Sequence, residues 1–362
     1  MASGNGFAAP TSRLTATTAS ARLLSSGLAA LSDCSMRFTC LIRLVLACAV
    51  AGIATPDAHA QTTFTRPIKL LVPVAAGGTT DLVARLVAEG IRESVGQPVV
   101  VENRPGATGR IAAEALKRAA PDGTTFLLAP IVVTVLAPLV FRDLSYDPAK
   151  DFAPVAQVAR YSFVLAVRTD HPARTVAEFA AWAKANPQQA SFGTAGSGGV
   201  PHLLGVMVAH ATGTDLVHVS YSSLAKVESE LLGGQIPAAI SAFADFLALE
   251  RAGKLRVIAT AGTGRAPTLP AVPTFVEQGF PGVVAVGWNA LYAPAGTPKP
   301  LIDQVSVAIA KALRTPAIRE KLMDLGVEPT GTTPDELAAI IAADTAHWAP
   351  IVRAAGFSAE GR

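Results

Sequence analysis

Three features of the sequence predict an α/β fold with mainly parallel sheets, organised as two lobes. Apolar strand-like runs alternate with helix-like patterns along most of the chain. Two long extended segments, near 152–168 and 283–294, could pass between lobes. Half of the 362 residues are apolar, enough for a large core and two domains of ordinary size.

The start of the chain reads as export information rather than fold. Met36 and Arg37 open a segment with a second positive charge at Arg43, twelve uncharged residues from Leu44 to Thr55, and alanines at 58 and 60 before Gln61. That pattern is a secretory signal expected to be cut after Ala60. Its apolar run is shorter than the roughly 20 residues of a stable membrane span, so a retained anchor is the weaker reading. A lipid anchor on Cys48 is weaker still, because it would cut the apolar run short. Residues 1–35 precede a complete signal and are expected to be a misassigned upstream extension. The implied compartment is a periplasm or the exterior.

Cys34, Cys40 and Cys48 all precede Gln61, so the expected mature chain has no disulfide and no thiolate metal site. The chain has 30 basic and 27 acidic residues; the leader contains four of the former and two of the latter, leaving 26 against 25. A net charge of +1 gives no electrostatic case for nucleic acid or an anionic membrane.

"IKLLVPV" (68–74) reads as a buried strand, 81–95 as a helix with Leu82, Leu86 and Ile91 near one face, and "PVVVEN" (98–103) as the next strand, together a βαβ unit. A helix over 106–119 and a strand over 124–129 follow, then an apolar segment, 131–140, of undetermined type. The second series has strands at 161–168, 190–193, 216–220, 236–241 and 254–260, with helices at 175–185, 202–211, 224–232 and 243–252 between them. The Pro-rich stretch 262–275 reads as irregular. A long strand at 283–294 and helices at 299–313, 316–324 and 334–354 complete the chain. If the two long segments cross, lobe I comprises 61–160 and 291–362, and lobe II comprises 161–290. The result is a clamshell with a two-strand hinge.

"VPVAAGGTTD", Val72 to Asp81, places Val74, Ala75, Ala76, Gly77, Gly78, Thr79 and Thr80 between a strand and a helix. Such a turn can serve packing, a phosphate, a nucleophile or a carboxylate. With Thr79 or Thr80 as N-cap and Asp81 in the first turn, unpaired backbone N–H groups would face outward, and the glycines would let a ligand approach them. "FGTAGSGGVPH" (192–202) is a second Gly-rich passage from strand to helix. It contains Gly193, Thr194, Ala195, Gly196, Ser197 and His202. Tyr221, Ser222, Ser241 and Ala242 stand at the C-terminal ends of the next two strands, the side on which open α/β sheets present ligands.

The stretches "RPIKLLVPVAAGGTTDLVARLVAEGI", "GQPVVVENRPGATGRIAAEAL", "PDGTTFLLAP", "AWAKANPQQASFGTAGSGGVPHLLG", "LPAVPTFVEQGFPG" and "LYAPAGTPKPLID" resemble those of the Bug family, over essentially the whole chain after Gln61. These are extracytoplasmic solute receptors of tripartite tricarboxylate transporters. The resemblance implies a type II periplasmic binding fold that captures a small organic carboxylate or acidic amino acid and hands it to membrane subunits. It implies no catalysis; no cofactor is expected, and the protein is expected to be a monomer. The chain departs from the family at Ser223, where many members have glycine, at Ser241, where they have aspartate, and at Gly199, where a hydroxyl residue is common. Loss of an aspartate at Ser241 makes a ligand without an amine the expectation.

Three other readings compete. A sensor docking on a signalling receptor would use the same clamshell. A secreted serine hydrolase would use Ser197, since "AGSGG" (195–199) is one residue from a nucleophile elbow, but His202 is only five residues on and such triads space their members widely. Metal binding has no support: His171, His202, His210, His218 and His347 show no paired ligand spacing. The three tryptophans read as core, with only Trp288 having a route to the cleft.

Overall fold

The computed structural model describes residues 64–356. The expected signal peptide, its expected cleavage site and the expected upstream extension therefore lie outside the described residues.

Strand β1 (Ile68–Val72) leads through a six-residue turn into helix α1 (Thr79–Val95), which returns to β2 (Val99–Asn103) alongside β1 in parallel. The helix buries Val83, Ala84, Val87, Ala88, Ile91 and Val95 at three- and four-residue spacing, while Leu82 and Leu86 are only half-buried. It ends where Gly96 takes a left-handed conformation. A short 3-10 turn (Ala107–Gly109) precedes α2 (Arg110–Lys117), and β3 (Thr125–Pro130) pairs with the other side of β1. The apolar segment that periodicity left undetermined is a π-helical stretch (Val132–Leu136) running into a single α-turn (Ala137–Val140).

Strand β4 (Phe152–Arg168) is 17 residues long and belongs to both lobes. Its first part, to Ser162, pairs antiparallel with β9 (Val286–Pro294) and with the two-residue β10 (Glu328–Pro329). From Phe163 onward it pairs with β7 (Ala238–Ala242) and β8 (Leu255–Thr260). Beyond β7 lie β5 (Ser191–Ala195) and β6 (Val217–Tyr221), both parallel. The whole sheet runs β2-β1-β3-β9-β4-β7-β5-β6. Its two flanks are parallel, as βαβ units require, whereas the centre is antiparallel because the crossing strands β4 and β9 run against their neighbours.

Helices α3 (Val176–Ala185), α4 (Val200–Thr212), α5 (Leu224–Leu232) and α6 (Phe243–Arg251) cover the second lobe. Helices α7 (Lys299–Arg314) and α8 (Pro316–Asp324) return to the first, and α9 (Pro334–Ala354) begins at a capping box formed by Thr333 and Glu336. One apolar cluster joins α1 and α7 to β1, β3 and β4; another lies between α5, α6 and the β4–β7–β8 strands. A third is continuous across both lobes, from Leu71 and Leu127 to Phe192 and Leu203, and includes Trp288 and Trp348.

At the crossing, Tyr161 of β4 lies opposite Gly287 of β9, and a side chain on Gly287 would meet the tyrosine ring at 2.1 Å. The glycine is there so that the ring can lie across the strand. Among the described residues, no helix is long and apolar enough to cross a membrane.

Candidate functional site

The turn from β1 into α1 is fixed from below. Gly77 has φ +88°, and its N–H donates to Asp81 Oδ2 at 2.9 Å. Asp81 is 1% exposed and also receives Arg85 through Nε and Nη2, both at 3.0 Å, and Asn103 Nδ2 at 2.8 Å. The same Asn103 amide donates to Val74 O, tying the end of β2 to the turn. Burial alone would raise the Asp81 pKa, but Arg85, the Gly77 N–H and Asn103 outweigh it and hold the carboxyl below its ordinary value. Asp81 thus shapes the turn from the inside and does not line the cavity.

The N-cap of α1 is Gly78 and no side chain caps the helix, in place of the expected Thr79 or Thr80. The reason is visible at Thr80: its hydroxyl donates to Asn289 Oδ1 of β9 at 3.2 Å instead of serving its own helix. The first amides of α1 therefore lack both intrahelical and side-chain acceptors.

A cavity of about 440 Å³ lies in front of these amides. Gly78, Thr79 and Thr80 of α1 form one wall, and Gly199, Val200 and Pro201, at the start of α4, another. Two helix N-termini thus converge on one space, and each favours negative charge there. Pro130, Ile131, Tyr161 and Phe163 supply apolar surface. Asn289 also lines the cavity; the residue is fully buried and its Nδ2 has no hydrogen-bond partner. Ser241, Ala242 and Asp245 complete the wall where β7 enters α6.

Of the residues singled out in the sequence, Val74, Gly78, Thr79, Thr80, Ala195, Ser241 and Ala242 line this cavity. Ala75, Ala76 and Gly77 are exposed beside it, as are Gly196 and Ser197. Gly193 and Thr194 are buried in β5, where Thr194 Oγ1 contacts Gly196 O at 2.8 Å and His218 Nε2 at 2.7 Å. His202 Nδ1 accepts the Gly198 N–H at 3.1 Å, and its ring stacks on His218 with centroids 3.8 Å apart. Burial lowers the pKa of both histidines, and for His218, where the His202 charge adds to the effect, down to about 4. These three side chains hold the 195–199 loop. Tyr221 and Ser222 end β6 beside that loop, with Tyr221 O accepting the Gly196 N–H, and lie outside the cavity.

Gly199 is the N-cap of α4, with no side-chain cap. The hydrolase geometry fares poorly. A triad histidine donates a hydrogen bond from Nδ1–H to a carboxylate, whereas His202 Nδ1 accepts from an amide. Trp288 turns away from the cavity and donates from Nε1 to Asp344 of α9 at 2.6 Å. Among the described residues, no group of three or more His, Cys, Asp or Glu could hold a metal ion.

The lining residues missed from the sequence include the apolar wall and three polar groups, Thr108, Asp245 and Asn289. Thr108 and Ala107 both have positive φ, 56° and 46°, so 106–109 is a strained turn and α2 starts only at Arg110. The flanking glycines in "PGATG" were the available signal. A lone amide in the apolar strand "GWNALYAP" was the signal for Asn289.

This is the fold and cleft of a two-lobed periplasmic binding protein. The chain belongs to the tripartite tricarboxylate transporter receptor family, whose profile matches residues 83–357. It is 35% identical over 312 residues to BugT of Bordetella pertussis, covering 85% of this chain and 94% of BugT. Two solved structures from Rhodopseudomonas palustris are similar. MatC with bound malate is 31% identical, with a TM-score of 0.70, covering 80% of this chain and 99% of MatC. A protein with adipate is 32% identical, with a TM-score of 0.74, covering 81% and 98%.

Proposed function

We propose that this chain is a periplasmic receptor that closes around a small organic carboxylate and delivers it to the membrane subunits of a tripartite tricarboxylate-type transporter. The observation that carries the reading is the convergence of the α1 and α4 N-termini on one cavity, beside the unpartnered Asn289 amide. Backbone dipoles and a buried amide can hold a carboxylate without a lysine or arginine. Malate and adipate in the two relatives support the ligand class.

On this reading the binding residues are Gly78, Thr79 and Thr80 in lobe I and Ala195, Gly199, Ser241 and Ala242 in lobe II. Lobe I comprises 61–160 and 291–362, lobe II comprises 161–290, and the protein works as a monomer exported through a signal cut after Ala60. The test is thermal unfolding of the exported protein with a panel of organic acids, since a ligand of the native state raises the midpoint by mass action. One or more carboxylates should raise it in a saturable way; a flat response across the panel would reject the reading. N-terminal sequencing of the same material should begin at Gln61.

A further inference from the structure

The cavity wall is electrically lopsided. One side presents helix N-termini and the Asn289 amide, all donors. The other presents Asp245, in the first turn of α6, and no Lys, Arg or His is among the residues that line the cavity. Asp245 accepts a short hydrogen bond from the Ser241 hydroxyl and one from the Ala242 N–H, which aim the carboxylate, and it has no ion-pair partner among the described residues. Glu228 of α5 senses the Asp245 charge and itself has no ion-pair partner among the described residues. Burial raises the pKa of Asp245, the mark of a carboxylate lacking a counter-charge. An acid in that position is stabilised by a cation that arrives with the ligand.

We infer that the ligand carries a cationic nitrogen as well as a carboxylate, and that Asp245 is the residue that selects it. The carboxylate lies against the α1 N-terminus and Asn289, and the ammonium lies against Asp245 and the Ser241 oxygen. The inference rests on the carboxylate reading above. It also reverses the expectation drawn from Ser241: the acid absent there is supplied four residues later, one helical turn along α6, and Ser241 becomes its hydrogen-bond donor.

Calorimetric titration of the exported protein with matched pairs tests this: aspartate against succinate, glutamate against glutarate, and 4-aminobutanoate against butanoate. In at least one pair the aminated member should bind about tenfold tighter or better, the equivalent of one well-formed charge contact. That preference should vanish in both Asp245→Asn, which keeps the shape of the side chain, and Asp245→Ser, with unfolding midpoints reporting that each variant is folded. Succinate, glutarate or butanoate binding as tightly as its aminated partner in every pair would overturn the inference and leave the carboxylate site standing. So would a preference for the amine that survives in both variants. No binding by any member of any pair would reject the carboxylate site itself, and the inference with it.

Discussion

The Thr80 hydroxyl and the Asn289 side-chain carbonyl meet at 3.2 Å, linking the first turn of α1 to the crossing strand β9. The contact orients the Asn289 amide, and its Nδ2 is left buried without an acceptor. An unmet donor of this kind costs about 1–3 kcal/mol. Asn289→Leu should therefore leave the unfolding midpoint unchanged or raise it, while carboxylate affinity falls about tenfold. Thermal unfolding and calorimetry on the same preparation check both halves. Undiminished affinity would place the carboxylate elsewhere.

The two glycines before α1 should separate by function. Gly78 has φ −72°, and a side chain there would stand 3.6 Å from Ala75 O and 3.8 Å from Val74 Cγ2, both ordinary contacts. Gly78→Val should fold with little loss and lose binding, because the branched side chain enters the cavity in front of the α1 amides. Gly77 has φ +88° with open space around it. Gly77→Ala should lower stability by about 1–2 kcal/mol through backbone strain alone. Equal loss of stability in the two variants would contradict this assignment.

Where local chemistry sets an element, its position could be read from the sequence. Ser223 caps α5 and Thr315-Pro316 opens α8, and both helices fall where the pattern placed them. Local pattern could not show that β4 and β9 run antiparallel to their neighbours, because strand direction in a sheet is set by distant partners. The Thr80 hydroxyl looked like a cap until a strand 209 residues away offered a better partner. Asp245 lies within the run "AFADFLALE", where one acid reads as surface; only the turn from β7 into α6 brings it to the cavity.

Trp288 and Asp344 should decide how firmly the last helix is docked. The indole is 2% exposed and its N–H reaches the carboxylate at 2.6 Å, a charge-assisted bond. Burial raises the Asp344 pKa, with the indole N–H and His347 pulling the other way. Asp344→Ala strands a buried N–H and should cost about 2 kcal/mol. Urea unfolding followed by tryptophan fluorescence would register the loss, with a changed emission from Trp288 in the folded baseline. A variant with the wild-type midpoint would show that the helix is held by the apolar contacts of Trp348 and Val352 alone.

Acid should weaken the fold first at the stacked histidines. Burial, reinforced by the His202 charge, takes the His218 pKa down to about 4 from its ordinary 6.5. The unfolded chain therefore binds its proton before the native state does. Native stability is fully present above about pH 6.5, declines as pH falls towards 4, and the His218 contribution levels off below that, after a total loss of about 3 kcal/mol. The lowered Asp81 carboxyl acts in the same direction but in a lower window, below its ordinary 3.8, so the two contributions separate on the pH axis. His218→Gln keeps a donor for Thr194 Oγ1 and removes the titration. Unfolding midpoints measured from pH 7 to 4 should fall steeply for the wild type and be flatter for the variant; parallel curves would place the acid sensitivity at other groups.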